Sequence, residues 1–248
     1  MEEKSIGLFG YGQFGRFFAL YLAQLGAVKV YDPLVLQEQT GTGVEVVATA
    51  QEAAKSDVLV FAVPLNQLDA LLTLIQDSVP ASSLLFDVTS VKVTPLSILQ
   101  SHFPNNQILG THPIFGPQSG KDGIKGLPIV LCNESWGTVN DEWLKRFFAD
   151  DLGLRIIEKT AEEHDREMAY VQGLSHLIGR ALSEMEIPPV DSATKSYEHL
   201  LELRNLLKDD SWELFETIQN GNPSAEAVRL EFVEKINRLE KKLEEGKG

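Results

Sequence analysis

The chain has 248 residues, of which 43% are hydrophobic and 23% charged, so it can bury the core of one large domain or two modest ones. Its net charge of −14 disfavours nucleic acid and membrane surfaces as partners, because both carry negative charge. No apolar stretch approaches the roughly 20 residues that cross a bilayer, and the first residues lack the pattern of a secretory signal. The single cysteine, Cys132, excludes an internal disulfide, so we expect a cytoplasmic protein.

Short apolar runs with β propensity alternate with helical stretches through the first half of the chain. The first run leads into a glycine-rich turn, and a helix is expected directly after it, over residues 14–25. Near-continuous apolar strands separated by helices are typical of a parallel sheet that is covered on both faces. We expect strands at residues 5–10, 28–31, 44–47, 57–63, 84–88, 107–111, 128–132 and 154–157.

The pattern changes near residue 160, after which helical spacing replaces the strand runs. The sequence predicts one long helical stretch followed by three further helices. We therefore expect a doubly wound, mainly parallel α/β domain at residues 1–158 and an all-α domain at residues 159–248. The helices of the second half are expected at residues 162–186, 194–207, 211–219 and 224–243.

A glycine-rich turn joins the first strand to the first helix. Gly10 permits the tight turn, Gly12 lets the backbone approach a pyrophosphate, and Gly15 lets helix and strand pack closely. The helix N-terminus offers N–H groups and a positive dipole end to phosphates. This context favours a Rossmann domain that binds a dinucleotide, with contacts from Gly10-Tyr11-Gly12-Gln13-Phe14-Gly15.

Asp32 ends the second strand, where a carboxylate distinguishes the two nicotinamide cofactors. It accepts hydrogen bonds from the ribose hydroxyls of NAD and repels the additional phosphate of NADP, and no basic residue follows it in Pro33-Leu34. NAD is therefore favoured over NADP. Val63 and Pro64, at the end of the fourth strand, are also expected to contact the cofactor.

Two polar residues follow neighbouring strands of the predicted sheet. Ser90 comes after the strand at 84–88, and His112 comes at the end of the strand at 107–111. Ligands of open parallel sheets collect beyond the carboxyl ends of the strands, so both residues should lie near the nicotinamide. Imidazole titrates near neutrality, which makes His112 a candidate general base and Ser90 a candidate for holding its geometry. We expect no metal site.

These motifs resemble the prephenate and arogenate dehydrogenases, the oxidoreductases that form tyrosine or its immediate precursor. The resemblance extends over nearly the whole chain and is strongest to the plant-type arogenate dehydrogenases. It is carried by the glycine turn, by Asp-Val-Thr-Ser-Val-Lys at 87–92, Gly-Thr-His-Pro at 110–113, Phe-Gly-Pro-Gln-Ser-Gly at 115–120, Glu-His-Asp at 163–165, Ser-His-Leu-Ile-Gly-Arg at 175–180 and Thr-Lys-Ser-Tyr-Glu at 194–198.

The resemblance implies oxidative decarboxylation of a cyclohexadienol, with hydride transfer to NAD and loss of the ring carboxylate as CO2. It implies that His176 contacts the substrate or the nicotinamide and that the helical domain forms a homodimer. His164 is expected to be structural. Arg204 is a candidate cation for the substrate carboxylates, with Lys92 and Lys121 as alternatives. Asp122 is a candidate partner for an ammonium group.

The substrate choice is left between two small molecules. Arogenate, which gives tyrosine, carries an ammonium group where prephenate carries a ketone, and the plant-type resemblance favours arogenate. Other two-domain Rossmann oxidoreductases lack the pairing of Ser90 with His112 and would release no CO2. A catalytically silent, NAD-binding regulator on the same fold is the most distant alternative.

Overall fold

The computed structural model describes residues 4–35, 43–132, 142–188 and 190–246. The chain divides into two compact units, Met1–His164 and Asp165–Gly248, which are described separately. The change of sequence pattern placed the domain boundary slightly earlier, after residue 158.

The described part of the first unit contains one eight-stranded sheet in the order β3-β2-β1-β4-β5-β6-β7-β8. Neighbouring strands are parallel except for β6 and β7, which run antiparallel. The predicted α/β class, with a mainly parallel sheet, is confirmed. The strands are β1 Ile6–Phe9, β2 Val28–Tyr31, β3 Val44–Val46, β4 Val58–Phe61, β5 Leu84–Asp87, β6 Gln107–Pro113, β7 Pro128–Cys132 and β8 Arg155–Lys159.

Helices cover both faces of this sheet, and each face has its own apolar core. Along β4, Val58 and Val60 pack into one core, and Leu59 and Phe61 pack into the other. A strand with apolar layers on both sides must be apolar at every position, which explains the continuous runs in the sequence. The helices of this unit are α1 Gln13–Leu22, α2 Ala50–Ala54, α3 Leu65–Ile75, α4 Val93–His102 and α5 Glu142–Arg146, with a 3₁₀ turn at Gln76–Ser78 and a π-helical segment at Phe147–Asp151.

The register of β5 against β6 positions the two candidate catalytic residues. Asp87, the last residue of β5, is paired with Gly110, and β6 continues for three residues beyond this point. His112 lies in that extension and is paired with Val130 of the antiparallel strand β7. The imidazole of His112 therefore belongs to a strand segment that is hydrogen-bonded to β7. The sequence predicted that this strand ends at residue 111, just before His112.

The second unit is helical in its described part. α6 Ala161–Met168 begins in the first unit, and the helices expected at 194–207, 211–219 and 224–243 are confirmed. The continuous helix expected at 162–186 is wrong in one respect, because a π-helical segment, Ala169–Leu174, interrupts it. None of the described helices is long and apolar enough to span a membrane. The remaining helices are α7 Ser175–Glu184, α8 Lys195–Leu207, α9 Trp212–Asn220 and α10 Ala225–Glu245.

Candidate nucleotide-binding and catalytic site

The glycine turn has the geometry that its sequence predicts. Gly10 has a φ of 95°, and a Cβ there would lie 2.6 Å from the carbonyl oxygen of Ala62. A Cβ on Gly15 would lie 2.1 Å from the carbonyl oxygen of Gly10, so only glycine allows α1 to start so close to β1. A Cβ on Gly12 would meet no atom within 4 Å in the described part of the chain, apart from its immediate neighbours in sequence and in the helix. Packing within the protein thus explains the first and third glycines, and backbone access for a ligand explains the second.

Asp32 is tied to the glycine turn by its side chain. Its Oδ2 accepts a hydrogen bond of 2.7 Å from the N–H of Tyr11, and its Oδ1 accepts one of 2.8 Å from the N–H of Leu34. A carboxylate has about four lone-pair sites, so each oxygen can still accept a ribose hydroxyl. The guanidinium of Arg16 lies 4.4 Å from the centre of the Tyr11 ring. The two backbone hydrogen bonds hold the Asp32 carboxylate in one orientation beside the turn.

The remaining cofactor candidates follow the strand next to β1. The strand order runs outward from β1 to β3 on one side and from β4 onward on the other, so the topology reverses between β1 and β4. Open α/β sheets bind their ligands at such a switch point. Val63 and Pro64 are half-buried there, between β4 and the start of α3. Together with the unhindered backbone at Gly12, these residues fit the requirements of a bound dinucleotide.

A buried ion pair links the ends of β5 and β6. The Lys92 ammonium pairs with the Asp87 carboxylate, and both side chains are 0% exposed. The ammonium also donates a hydrogen bond of 2.6 Å to the carbonyl oxygen of Thr111, whose hydroxyl donates to the carbonyl oxygen of Asp87 at 2.6 Å. The cation expected to meet the substrate is thus part of the interior. It holds together the two chain segments that carry Ser90 and His112.

Ser90 lies in the loop between β5 and α4. Thr89, beside it, is fixed by the Asp87 carboxylate through its N–H at 3.1 Å and its hydroxyl at 2.5 Å. α4 has Lys92 at its N-cap, so Ser90 does not cap this helix. Within residues 4–35, 43–132, 142–188 and 190–246, the half-buried Ser90 hydroxyl makes no hydrogen bond. The structure therefore fixes the loop through Thr89 and not through the side chain of Ser90.

His112 contacts a second imidazole. Its Nδ1 lies 2.8 Å from Nε2 of His164, with His112 3% exposed and His164 0% exposed. The pKa of His112 lies well below the usual 6.5, chiefly because burial disfavours the imidazolium, and additionally because of His164 and Lys92. The His112 imidazole is thus neutral at physiological pH.

His164, which the sequence assigned a structural role, is placed by the start of α6. The Thr160 hydroxyl accepts from the N–H of Glu163 at 3.1 Å, and the Glu163 carboxylate accepts from the N–H of Thr160 at 3.0 Å. This reciprocal pair is a capping box, which fixes where a helix begins. The pattern Thr160-Ala161-Glu162-Glu163 could be read from the sequence, but the contact between the two histidines could not.

In the second unit, His176 lies beside an acidic residue. Its Nδ1 is 3.4 Å from Oδ2 of Asp210, and the side chains are 12% and 27% exposed. Burial, and then the charge of Arg180, lower the pKa of His176 to about 4, while burial raises the pKa of Asp210. The lowered pKa of His176 disfavours the imidazolium, and the raised pKa of Asp210 disfavours the carboxylate. The two side chains are therefore close without forming an ion pair. His176 is therefore neutral at physiological pH.

Arg180 is the cation that reaches this pair. It donates a hydrogen bond of 3.0 Å to the carbonyl oxygen of Asp210, and its guanidinium lies 5.7 Å and 5.4 Å from the ring centres of Trp212 and Phe215. Arg204 is half-buried on α8 and forms no ion pair or hydrogen bond with another described residue. Asp122 is exposed and likewise makes no such contact. The sequence missed Arg180 because its partners are 30 residues away along the chain.

The lowered pKa of His176 predicts a pH-dependent stability. The unfolded chain binds this proton near pH 6.5 and the folded protein only near 4, so stability falls as the pH drops between these values. The full loss is roughly 3 kcal/mol, and Asp210 opposes it because its raised pKa adds stability on acidification. We expect His176→Gln to remove about 2–3 kcal/mol of the decline in unfolding free energy, measured by urea titration at about pH 7 and pH 4.5. An equal decline in both proteins contradicts this.

The strand order, the glycine turn and the residues at the strand ends define a nucleotide-binding protein of the Rossmann type. The family model described as "Prephenate dehydrogenase, nucleotide-binding domain" matches residues 18–152. The chain belongs to this prephenate dehydrogenase family, which confirms the resemblance predicted from the motifs. A second model, "TYRAAT1-like, C-terminal domain", matches residues 181–247.

Individual relatives agree with this family. Arogenate dehydrogenase 2, chloroplastic, of Arabidopsis thaliana is 35% identical over 161 residues, which are 63% of this chain and 44% of the relative. The probable arogenate/prephenate dehydrogenase of Methanocaldococcus jannaschii is 27% identical over 240 residues, which are 91% of this chain and 53% of the relative. The chain thus spans about half the length of these curated relatives.

A solved structure shares the fold. Prephenate dehydrogenase from A. aeolicus, in complex with hydroxyphenyl propionate and NAD+, superposes with a TM-score of 0.71 at 18% identity. The match covers 97% of this chain and 91% of that chain. It confirms the predicted fold class, a Rossmann-type domain followed by a helical region.

Proposed function

We propose that the protein catalyses the NAD-dependent oxidative decarboxylation of arogenate to tyrosine, with His112 as the general base. The observation that carries this proposal is the arrangement at the ends of β5 and β6. The Asp87–Lys92 pair holds the Ser90 loop against Thr111, next to a buried imidazole whose pKa favours the neutral form. Family membership supplies the reaction class for this arrangement.

The proposed roles follow from the proton balance of the reaction. His112 takes the proton of the substrate hydroxyl as the hydride leaves the same carbon, and it returns the proton once loss of CO2 has made the ring aromatic. Bound NAD would supply the hydride acceptor. Ser90 donates a hydrogen bond that orients the hydroxyl, and Lys92 positions both residues from the interior. Because His112 returns the proton that it takes, the reaction releases no net proton. A buried base can therefore complete the cycle without exchanging a proton with solvent.

Arogenate is proposed over prephenate because acidic groups are available for its ammonium. Asp122 is exposed, and Asp210 lies beside His176, the substrate contact implied by the resemblance. The Arabidopsis thaliana relative supports the same choice, since it is named an arogenate dehydrogenase. Arg204 stays the proposed cation for a carboxylate, and Arg180 is a second cation beside His176. Prephenate, which would give 4-hydroxyphenylpyruvate, is the alternative substrate.

The test is a parallel assay of arogenate and prephenate with NAD and NADP, following absorbance of the reduced cofactor and release of CO2. We expect NAD reduction with arogenate, accompanied by an equal amount of CO2. Reduction without CO2 would indicate another Rossmann oxidoreductase. Cofactor binding without any reduction would indicate a silent regulator, which the names of the relatives do not favour.

The preference for NAD is proposed from the fixed carboxylate of Asp32. Asp32→Ser removes the charge that repels a 2′-phosphate, so we expect the ratio of kcat/KM for NADP to that for NAD to rise by about 10- to 100-fold. Asp32→Asn removes the same charge while its amide oxygen can still accept the N–H of Tyr11, so it should show a similar rise if the charge is the cause. Steady-state kinetics with both cofactors measure the ratio. A wild type that already prefers NADP refutes the proposed role.

We also propose a cytoplasmic homodimer that forms through the helical unit. Support comes from α10, where apolar side chains recur at intervals of three or four residues. These are Leu230, Val233, Ile236, Leu239 and Leu243, which are 46–64% exposed. Sedimentation velocity should give twice the chain mass of 27.5 kDa, and Val233→Glu should shift the protein toward monomer. A wild type that sediments as a monomer excludes the dimer.

A further inference from the structure

We propose that His164 is a positioning residue that accepts a hydrogen bond from Nδ1–H of His112 and thereby makes Nε2 of His112 the basic nitrogen. The inference rests on the proposed function, in which His112 takes a proton from the substrate. The inference adds His164 as the residue that decides which ring nitrogen of His112 can take the proton.

The geometry of the two rings supports a shared proton. The Nδ1–Nε2 distance of 2.8 Å is that of a hydrogen bond, and the ring planes are inclined by 71° with centres 5.1 Å apart. A hydrogen bond between two neutral imidazoles uses one proton, so one ring donates and the other accepts. Two tautomeric arrangements satisfy this contact, and they differ in what His112 offers to a substrate.

Only one arrangement gives a base. If His164 donated to Nδ1 of His112, the proton of His112 would lie on Nε2, and that nitrogen could only donate to the substrate hydroxyl. If His112 donates from Nδ1, its Nε2 carries the lone pair that takes a proton. Because Nδ1 is engaged with His164, the nitrogen that meets the substrate must be Nε2. The chemistry thus selects donation from His112 to His164.

The charges around the pair explain why the partner is an imidazole. Lys92 is the cation that acts on His112, and Asp87 pairs with Lys92 in the interior. A carboxylate in place of His164 would stabilise the imidazolium and raise the pKa of His112. An imidazole fixes the orientation without supplying a negative charge. The base therefore stays unprotonated into the acidic range, and the capping box of α6 holds the partner in place.

Two substitutions separate orientation from packing. His164→Phe keeps an aromatic ring of similar size and removes the acceptor, and we expect kcat to fall about 10- to 100-fold with KM little changed. His164→Gln supplies an amide oxygen at about the reach of Nε2, and it should restore most of the lost kcat. In a His112→Asn background, His164→Phe should cost nothing further, because the partner acts only through the base.

The direct measurement is the tautomer of His112 in the protein without substrate. With ¹⁵N-labelled histidine, the resonances missing from His112→Asn identify His112, and we expect its Nδ1 to be protonated and its Nε2 unprotonated. In His164→Phe the proton should move toward Nε2. If His164→Phe does not fold, the tautomer of His112 in the wild-type spectrum and the kcat of His164→Gln still test the positioning role of His164.

Failure of this inference and failure of the proposed function give different results. A wild type that oxidises arogenate or prephenate but carries the His112 proton on Nε2 overturns the role of His164 and leaves the function intact. A wild type that shows Nδ1–H but oxidises neither substrate supports the hydrogen bond and overturns the function. An unchanged kcat in His164→Phe also overturns the positioning role.

Discussion

Replacing His112 by Asn should lower kcat about 10²- to 10⁴-fold while NAD binding is retained, because a general base contributes a factor of this size. His112 lies on β6, and β4 and β5 separate this strand from β1, which leads into the glycine turn, so cofactor affinity should change little. The acid limb of kcat/KM in the wild type should lie below pH 6.5, since the pKa of His112 is lowered by burial, His164 and Lys92. Steady-state kinetics and a titration with NAD measure both effects.

The matched control is His199→Asn. His199 is 73% exposed and pairs with Glu202 on α8, so its loss should leave kcat unchanged. Near-normal turnover of His112→Asn would remove His112 from the role of base. An acid limb above pH 6.5 would instead show that the imidazole is charged more readily than its burial implies.

Replacing Lys92 by Met should lower the free energy of unfolding by about 3–5 kcal/mol, the cost of leaving a buried charge without its partner. Met keeps the apolar stem of the side chain and removes the ammonium. Asp87 would then be 0% exposed with only Thr89 to satisfy its carboxylate, and its Oδ1 accepts no hydrogen bond from a described residue. Chemical denaturation measures the loss, and kcat should fall as well because Thr111, next to His112, loses the hydrogen bond from the ammonium.

Two further proteins test the cause of this loss. The double variant Asp87→Asn with Lys92→Met contains no buried charge at this point, and it should recover most of the lost stability. Lys55→Met, at an exposed position, should change stability by less than about 0.5 kcal/mol. If the double variant is as unstable as Lys92→Met, the Lys92 stem and its backbone contact matter more than the charge pair.

Much of the first unit could be predicted because its signals are local. A continuous apolar run such as Val58–Phe61 predicts a strand buried on both faces, and the glycine turn predicts the start of α1. The rule that ligands collect at the carboxyl ends of parallel strands suffices to expect Ser90 and His112 near one another. The strand at 128–132 was predicted, but its antiparallel direction was not, since strand direction depends on the path of the chain.

The sequence by itself determined the alternation of strands and helices, the nucleotide-binding turn and the identity of the candidate base, because turn chemistry and hydrophobic period act over a few residues. Only the tertiary structure decided that Lys92 is an interior ion-pair partner and that His164 lies against His112. It also decided that Arg180 reaches Asp210. These contacts join residues that are distant along the chain or depend on which side chains the folded core encloses. These contacts are therefore set by side-chain packing in three dimensions, which no local sequence pattern encodes.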